Sequence, residues 1–207
     1  MKTSIKLCGF KYIEDITFAT SLDINYLGMI FVQNVKRTVN LDTASQAVQI
    51  CKDRGVKSVG VFLNQDLSEI ENVLNKVDLD MLQLHGTENI EDYRVFRKDI
   101  IKTLHASQDL PLKVKDLDFD NVNYLIDTST EDHLQGGTGK CFDWRILKDI
   151  PVEKLFVAGG LKPDNIIDLL STYNPKCVDV SSGIEKEPGY KDHNLMSDFV
   201  QKIRAFQ

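Results

Sequence analysis

Residues 154–183 read KLFVAGGLKPDNIIDLLSTYNPKCVDVSSG. Lys154 to Ala158 is a short apolar run without in-out alternation, the pattern of a strand covered on both faces. Gly159 and Gly160 interrupt it. Pro163-Asp164 then opens a helix, since proline is at home in a first turn, and Cys177 to Val180 forms a second strand ahead of Ser181-Ser182-Gly183. Strand, glycine-rich loop, helix and strand in that order make one parallel βαβ unit.

The unit repeats back to the N-terminus. Strand-like runs fall at Ser4 to Cys8, Tyr26 to Phe31, Ser58 to Leu63, Met81 to Leu84, Ile101 to Leu104 and Asn123 to Ile126, giving eight in all, with starts 20 to 32 residues apart. That interval holds one strand, one helix and two short loops. Helical stripes lie between them: Ala44, Ala47, Val48 and Cys51; Leu67, Ile70, Val73, Leu74 and Val77; Leu195, Met196, Phe199, Val200 and Ile203. Asp42 is the expected start signal of the second helix, and Leu110 to Leu117 carries the weakest helical pattern. The expectation is a single α/β domain over 1–207, a (β/α)8 TIM barrel of eight parallel strands. A doubly wound open sheet is the alternative, disfavoured because no G-x-G-x-x-G follows the first strand.

Composition narrows the function classes. The 207 residues are 42% hydrophobic and 27% charged, with a net charge of −6 spread along the chain. Nucleic acid and anionic membranes attract clustered Lys and Arg, so neither is expected as a partner. The opening MKTSIKLCGF lacks the apolar core of a signal peptide, and no run approaches about 18 apolar residues, so a cytoplasmic protein is expected. Cys8, Cys51, Cys141 and Cys177 form no C-x-x-C pair and lie at no metal-type spacing from a histidine. They are expected to be free thiols with no metal site, the last three structural. A monomer is expected.

In such a barrel the active site lies at the C-terminal ends of the strands. The residues there are Cys8, Asn64, His85, His105, Asp127, Gly159, Gly160, Ser181 and Ser182. Three glycine-rich segments crowd the last third: Gly136-Gly137-Thr138-Gly139, Gly159-Gly160, and Ser181-Ser182-Gly183. Backbone amides in such loops approach an anion closely, and the loops after strands seven and eight are where this fold builds a phosphate site. Ordinary turns would explain one glycine pair more easily than three clusters. Asp127 could protonate a leaving oxygen, and Cys8 as thiolate could take a carbon-bound proton, although a strand-end cysteine is often just a small buried hydrophobe. Arg37, after Lys36 beyond the second strand, offers a fork for a carboxylate. His85 is expected to hydrogen-bond and line the site rather than bind metal.

Six ordered motifs carry a resemblance: KLCG at the first strand, GVFLN at the third, LQLHG at the fourth, LIDT followed by GGTGKCFDW at the sixth, VAGGLKPDN at the seventh and DVSSGIEKEPGYKD at the eighth. Together they are similar to phosphoribosylanthranilate isomerase of tryptophan biosynthesis, nearly end to end. The resemblance implies an Amadori rearrangement of N-(5-phosphoribosyl)anthranilate to 1-(2-carboxyphenylamino)-1-deoxyribulose 5-phosphate, a small phosphorylated substrate handled without metal or organic cofactor. It implies Cys8 as general base, Asp127 as general acid and Arg37 as partner of the anthranilate carboxylate. It makes Gly159, Gly160, Ser181, Ser182 and Gly183 the phosphate grip, with Gly137, His85 and Asp179 also in the substrate-binding set. Phe10 and Lys11 stand where the family has small and hydroxyl-bearing residues, and the arginine loop reads QNVKRTV. The histidine-pathway isomerase that runs the same rearrangement on a bis-phosphate is disfavoured, because the first half lacks a glycine-rich phosphate loop. A non-catalytic sugar-phosphate binder would need neither Cys8 nor Asp127.

Overall fold

In the computed structural model, which describes residues 2–107, 110, 114, 117–118, 122–127 and 143–207, the eight apolar runs close into one parallel barrel in sequence order. The strands are β1 (Ser4–Cys8), β2 (Tyr26–Ile30), β3 (Lys57–Phe62), β4 (Met81–Leu84), β5 (Asp99–His105), β6 (Asn123–Asp127), β7 (Leu155–Val157) and β8 (Cys177–Val180). Closure is made by β8 on β1, in a register running from Ser4 opposite Cys177 to Leu7 opposite Val180. Around the barrel lie α1 (Ile13–Ala19), α2 (Leu41–Asp53), α3 (Leu67–Leu74), α4 (Ile90–Tyr93), α5 (Ile166–Thr172) and α6 (His193–Phe206). Most of the fifth connection falls outside the described residues; Leu110 and Val114 within it are helical and buried. None of the helices among the described residues is long and apolar enough to cross a membrane.

Strand side chains alternate between two apolar clusters, as the period of two requires. Ile5, Leu7, Leu27, Leu82, Ile126, Val157 and Val178 pack outward against the helices. Val59, Met81, Ile101, Leu125, Phe156 and Cys177, with Tyr26 against them, form a separate plug inside the barrel. Burying each large member of this plug contributes about 1.5–3 kcal/mol. The same inward parity, continued towards the C-terminal ends, changes character: Lys6 and Cys8 on β1, Gln83 and then His85 on β4, Thr103 and His105 on β5, Asp127 on β6, Asp179 and then Ser181 on β8. A dry plug below a polar layer places the chemistry at the barrel mouth.

Two start signals differ from expectation. The cap of α2 is Asn40, whose side chain accepts from the Thr43 amide, and Asp42 lies inside the first turn. Pro163-Asp164 sits in the turn before α5, held by the Lys162 amide donating to Asn165 Oδ1 at 2.9 Å, and the helix begins only at Ile166. After β8 a short antiparallel hairpin, β9 (Glu185–Glu187) and β10 (Tyr190–Lys191), turns back over the mouth through Gly189 at φ 88°.

Candidate active site

Cys8 ends β1 with its side chain buried inside the barrel. Its cross-strand partner on β2 is Gly28, and a β-carbon there would stand 2.5 Å from the Cys8 sulfur, so the glycine is what leaves room for the thiol. Two residues earlier on the same face, fully buried Lys6 places Nζ 2.8 Å from Asp179 Oδ2. The other oxygen of Asp179 is buried without a hydrogen-bond partner. Burial works against the Lys6 ammonium, but Asp179 and Cys8 outweigh it and hold Lys6 above the ordinary lysine range. Asp179 is pushed up, by burial first and also by repulsion from Asp127, against the pull of Lys6. The Cys8 thiol is likewise raised by burial, with Asp179 adding to the rise and the cations Lys6 and Lys191 opposing it. Cys8 rests as a thiol, with two positive charges available to stabilise its anion.

Asp127 ends β6 opposite His105 of β5, and its carbonyl accepts from the Ala106 amide at 2.8 Å. His85 Nε2 lies 3.8 Å from Asp127 Oδ2. The other ring nitrogen, Nδ1, is held by Thr103 Oγ1 at 3.1 Å and Gln83 Nε2 at 3.3 Å. Burial, aided by the charge on Lys6, depresses His85 to about 4. The imidazole is therefore neutral near pH 7 and brings no positive charge to its contact with Asp127. The hydrogen bonding expected of His85 is present at Nδ1. Asn64 instead ties loops together, its Oδ1 accepting from the Thr87 amide at 2.7 Å.

Arg37 already has a carboxylate partner. Glu185 of β9 accepts from Nε at 2.8 Å and Nη2 at 2.6 Å, an almost buried pair. Glu185 is destabilised by burial, yet Arg37 and Lys191 outweigh this and hold it below the usual carboxylate range. Phe10 is fully buried under the Lys191 ammonium, which stands 5.2 Å from the ring centre. Lys11 donates to the Lys36 carbonyl at 2.7 Å and lies over the Tyr12 and Tyr190 rings.

The loops after β7 and β8 interlock. Gly159 and Gly160 take φ values of 86° and 65°, and the Gly160 carbonyl accepts from Asn165 Nδ2 at 3.0 Å. Gly183, in the 3-10 turn Ser182–Ile184, packs so tightly on the Leu161 carbonyl that a side chain would collide with that backbone. Ser181 reaches back to β1: a β-carbon on Gly9 would meet Ser181 Oγ at 2.8 Å, Arg37 Cδ at 3.0 Å and Lys191 Nζ at 3.4 Å. Cys8, the serine loop and Arg37 therefore converge around Gly9. Gly137 and Cys141 lie outside the described residues. Among those described, Cys8, Cys51 and Cys177 are free thiols.

Lys6, Glu185 and Lys191 carried no expectation from sequence. Lys6 could have been found, because its i−2 position to Cys8 on a strand puts both on one face. Glu185 and Lys191 stand within the DVSSGIEKEPGYKD motif, but only the return of the hairpin shows what they touch.

Comparison with known proteins adds an independent line. A family model described as N-(5'-phosphoribosyl)anthranilate (PRA) isomerase matches residues 5–202. An N-(5'-phosphoribosyl)anthranilate isomerase of Caldanaerobacter subterraneus subsp. tengcongensis is 38% identical over 206 residues, covering 97% of this chain and 98% of the relative. The solved phosphoribosyl anthranilate isomerase from Thermotoga maritima superimposes with a TM-score of 0.82 at 31% identity, over 98% of this chain and 99% of its own. Another solved phosphoribosyl anthranilate isomerase, in complex with reduced 1-(o-carboxyphenylamino)-1-deoxyribulose 5-phosphate, gives 0.79 at 30% identity over 98% and 99%.

Proposed function

The chain belongs to the N-(5'-phosphoribosyl)anthranilate isomerase family, and from that membership we propose how its residues divide the reaction. The activity is the Amadori rearrangement of N-(5'-phosphoribosyl)anthranilate to 1-(2-carboxyphenylamino)-1-deoxyribulose 5-phosphate, an aldose-ketose isomerisation in tryptophan biosynthesis. One acid and one base suffice for it, and no cofactor is called for.

Asp127, protonated, donates to the furanose ring oxygen; the bond from that oxygen to C1 breaks, and the anilino nitrogen lone pair forms the Schiff base. Cys8, once its thiol has lost its proton to solvent beside the Lys6 and Lys191 charges, removes as thiolate the proton from C2, and the electron pair moves to give the enolamine. Its enol hydroxyl then loses a proton as C1 gains one, leaving the ketone. The phosphate sits against the amides of the Gly159-Gly160 and Ser181-Ser182-Gly183 loops, and the anthranilate carboxylate against Arg37, sharing the guanidinium with Glu185. His85 and Asp179 line the pocket between these two grips. The observation that carries this assignment is the inward polar layer, in which Cys8 has Lys6 and Lys191 to stabilise its anion and Asp127 ends β6 with the neutral His85 imidazole 3.8 Å from its carboxyl.

The test generates the substrate in situ from anthranilate and phosphoribosyl pyrophosphate with the preceding enzyme and follows loss of its fluorescence. Cys8→Ser and Asp127→Asn should each lower kcat by about 10²-fold or more. Near-parent activity in either variant, or binding of a product analogue without turnover in the parent, would overturn the assignment.

The whole of 1–207 is taken as one domain, to be tested by whether two spectroscopic probes report one coincident unfolding transition. Its exposed large apolar side chains, Leu67, Val95, Tyr190 and Phe206, are scattered over four separate elements among the described residues, which supports a monomer; sedimentation equilibrium tests this. Free thiols support a cytoplasmic setting.

A further inference from the structure

Lys191 is nearly fully buried, and beyond the charge it lends the Cys8 anion its contacts have no part in the steps above. An ammonium has three N–H donors, and Lys191 has three acceptors around it: the Cys8 carbonyl at 2.6 Å, the Ser181 carbonyl at 3.0 Å and Glu185 Oε1 at 3.0 Å. Each belongs to a different part of the site. Cys8 O is the end of the strand that carries the base, Ser181 O is the entrance to the phosphate loop, and Glu185 is the carboxylate that grips Arg37.

We propose that Lys191 is a positioning residue for the isomerisation: it fixes these three parts relative to one another and sets one positive charge beside the Cys8 sulfur. Gly9 supports the geometry independently, because Ser181, Arg37 and Lys191 all close on the space a β-carbon there would occupy. The charged groups around Cys8 are Lys6 from β1, Asp179 from β8 and Lys191 from β10. Lys6 is ion-paired with Asp179 at 2.8 Å and Lys191 with Glu185 at 3.0 Å, and both ammonium groups still favour the thiolate while Asp179 opposes it. Burial drives Lys191 towards the neutral amine, and Glu185 and Cys8 oppose that by favouring its charge, while Arg37 adds to the downward drive. Loss of the Lys191 charge would make the thiolate harder to form.

The inference rests on Cys8 being the base, and its test does not depend on turnover. Thiolate absorbance in the ultraviolet is titrated in the parent and in Cys8→Ser, and the difference isolates Cys8. Lys191→Met should move the midpoint to higher pH by about one unit, which is about tenfold less thiolate at a fixed lower pH. Lys191→Arg, which keeps the charge, should return it towards the parent, and the acid limb of kcat should follow the thiol in both. If Lys191→Met does not fold, Lys191→Gln, which keeps an amide donor for one carbonyl, carries the same comparison. An unmoved midpoint in a folded uncharged variant overturns the proposal, as does an equal displacement by arginine and methionine, which would mark a purely structural lysine. Failure of the base assignment itself reads differently, as activity surviving in Cys8→Ser while the thiol still responds to Lys191.

Discussion

One methyl group at Gly28 should disable the enzyme without unfolding it. Gly28 lies directly opposite Cys8 in the β1–β2 ladder, and a β-carbon there would come 2.5 Å from the sulfur and 3.2 Å from Cys8 Cα and Cβ, where ordinary contact begins at 3.4 Å. The strands cannot readily part, because the Gly28 carbonyl is clamped by the Gly9 and Phe10 amides at 2.9 and 3.1 Å. The sulfur is the softer partner and must retreat by about 1 Å, a displacement of a reacting atom that costs about 10²-fold in rate. Overpacking should cost about 1–3 kcal/mol of stability, partly offset by the about 0.5–1 kcal/mol that alanine gains over glycine in a strand. Gly28→Ala is therefore expected to stay folded in urea titrations, to keep a near-parent KM because both anion grips are untouched, and to lose about two decades of kcat. The fluorescence assay over a range of substrate concentrations up to saturation gives KM and kcat, and circular dichroism in urea follows the fold. A folded Gly28→Ala with kcat within about threefold of the parent would show that the position of the Cys8 sulfur does not limit the reaction, and the base assignment would fall with it.

The other expectations concern the phosphate loop, the histidine and the buried ion pair. Gly183→Ala drives a methyl group into the Leu161 carbonyl; KM should rise and stability fall by about 1–3 kcal/mol, and an unchanged KM would remove the β8 loop from the phosphate site. His85 is depressed to about 4 in the folded chain against about 6.5 unfolded, so between these values the unfolded state binds more protons and stability must fall as pH drops from about 6.5 to about 4. The Tm of the parent should decline more steeply over that window than that of His85→Gln, and parallel declines would contradict a buried neutral imidazole. Lys6→Met strands Asp179 in the barrel and should cost about 3–5 kcal/mol in urea denaturation. Adding Asp179→Leu should recover most of it, and a double variant as unstable as the single would mean that the pair is not what the lysine stabilises.

The barrel was legible because each strand carries its own signal. LFVA and GVFL cannot alternate polar with apolar when both faces are covered, and the strand ends differ from expectation by at most two residues. The start of α5 was misread because proline favours any turn with φ near its own, and Asn165 closes a turn there before the helix begins. Cys8, Asp127 and the loops at Gly159-Gly160 and Ser181–Gly183 were legible as polar or glycine-rich positions at strand ends. Arg37 was legible only as a fork: its carboxylate partner is 148 residues away, a contact created by the hairpin that follows β8. Lys191 was invisible for the same reason, since a lysine before an aspartate reads as a solvated surface pair until β10 folds it under the mouth, 183 residues from the carbonyl it holds.

With the anthranilate carboxylate at Arg37, as proposed, that hairpin also resolves an electrostatic difficulty in admitting the substrate. The chain carries a net charge of −6, and the ligand brings both a carboxylate and a phosphate. Arg37 is gripped through two nitrogens by Glu185, so a second carboxylate arriving at the same guanidinium would place two anions on one cation in a nearly buried setting. Burying such an unbalanced charge costs several kcal/mol. Lys191 at 3.0 Å from Glu185 changes the sum: the row becomes Lys191 positive, Glu185 negative, Arg37 positive and substrate carboxylate negative, alternating and balanced. Glu185 can then hold the guanidinium plane rigidly, which a lone arginine on a loop could not do, and still leave the row able to accept an anion. The same lysine holds the Cys8 carbonyl, so on the proposed roles the group that makes room for the substrate's charge also fixes the strand that presents the base to its carbon.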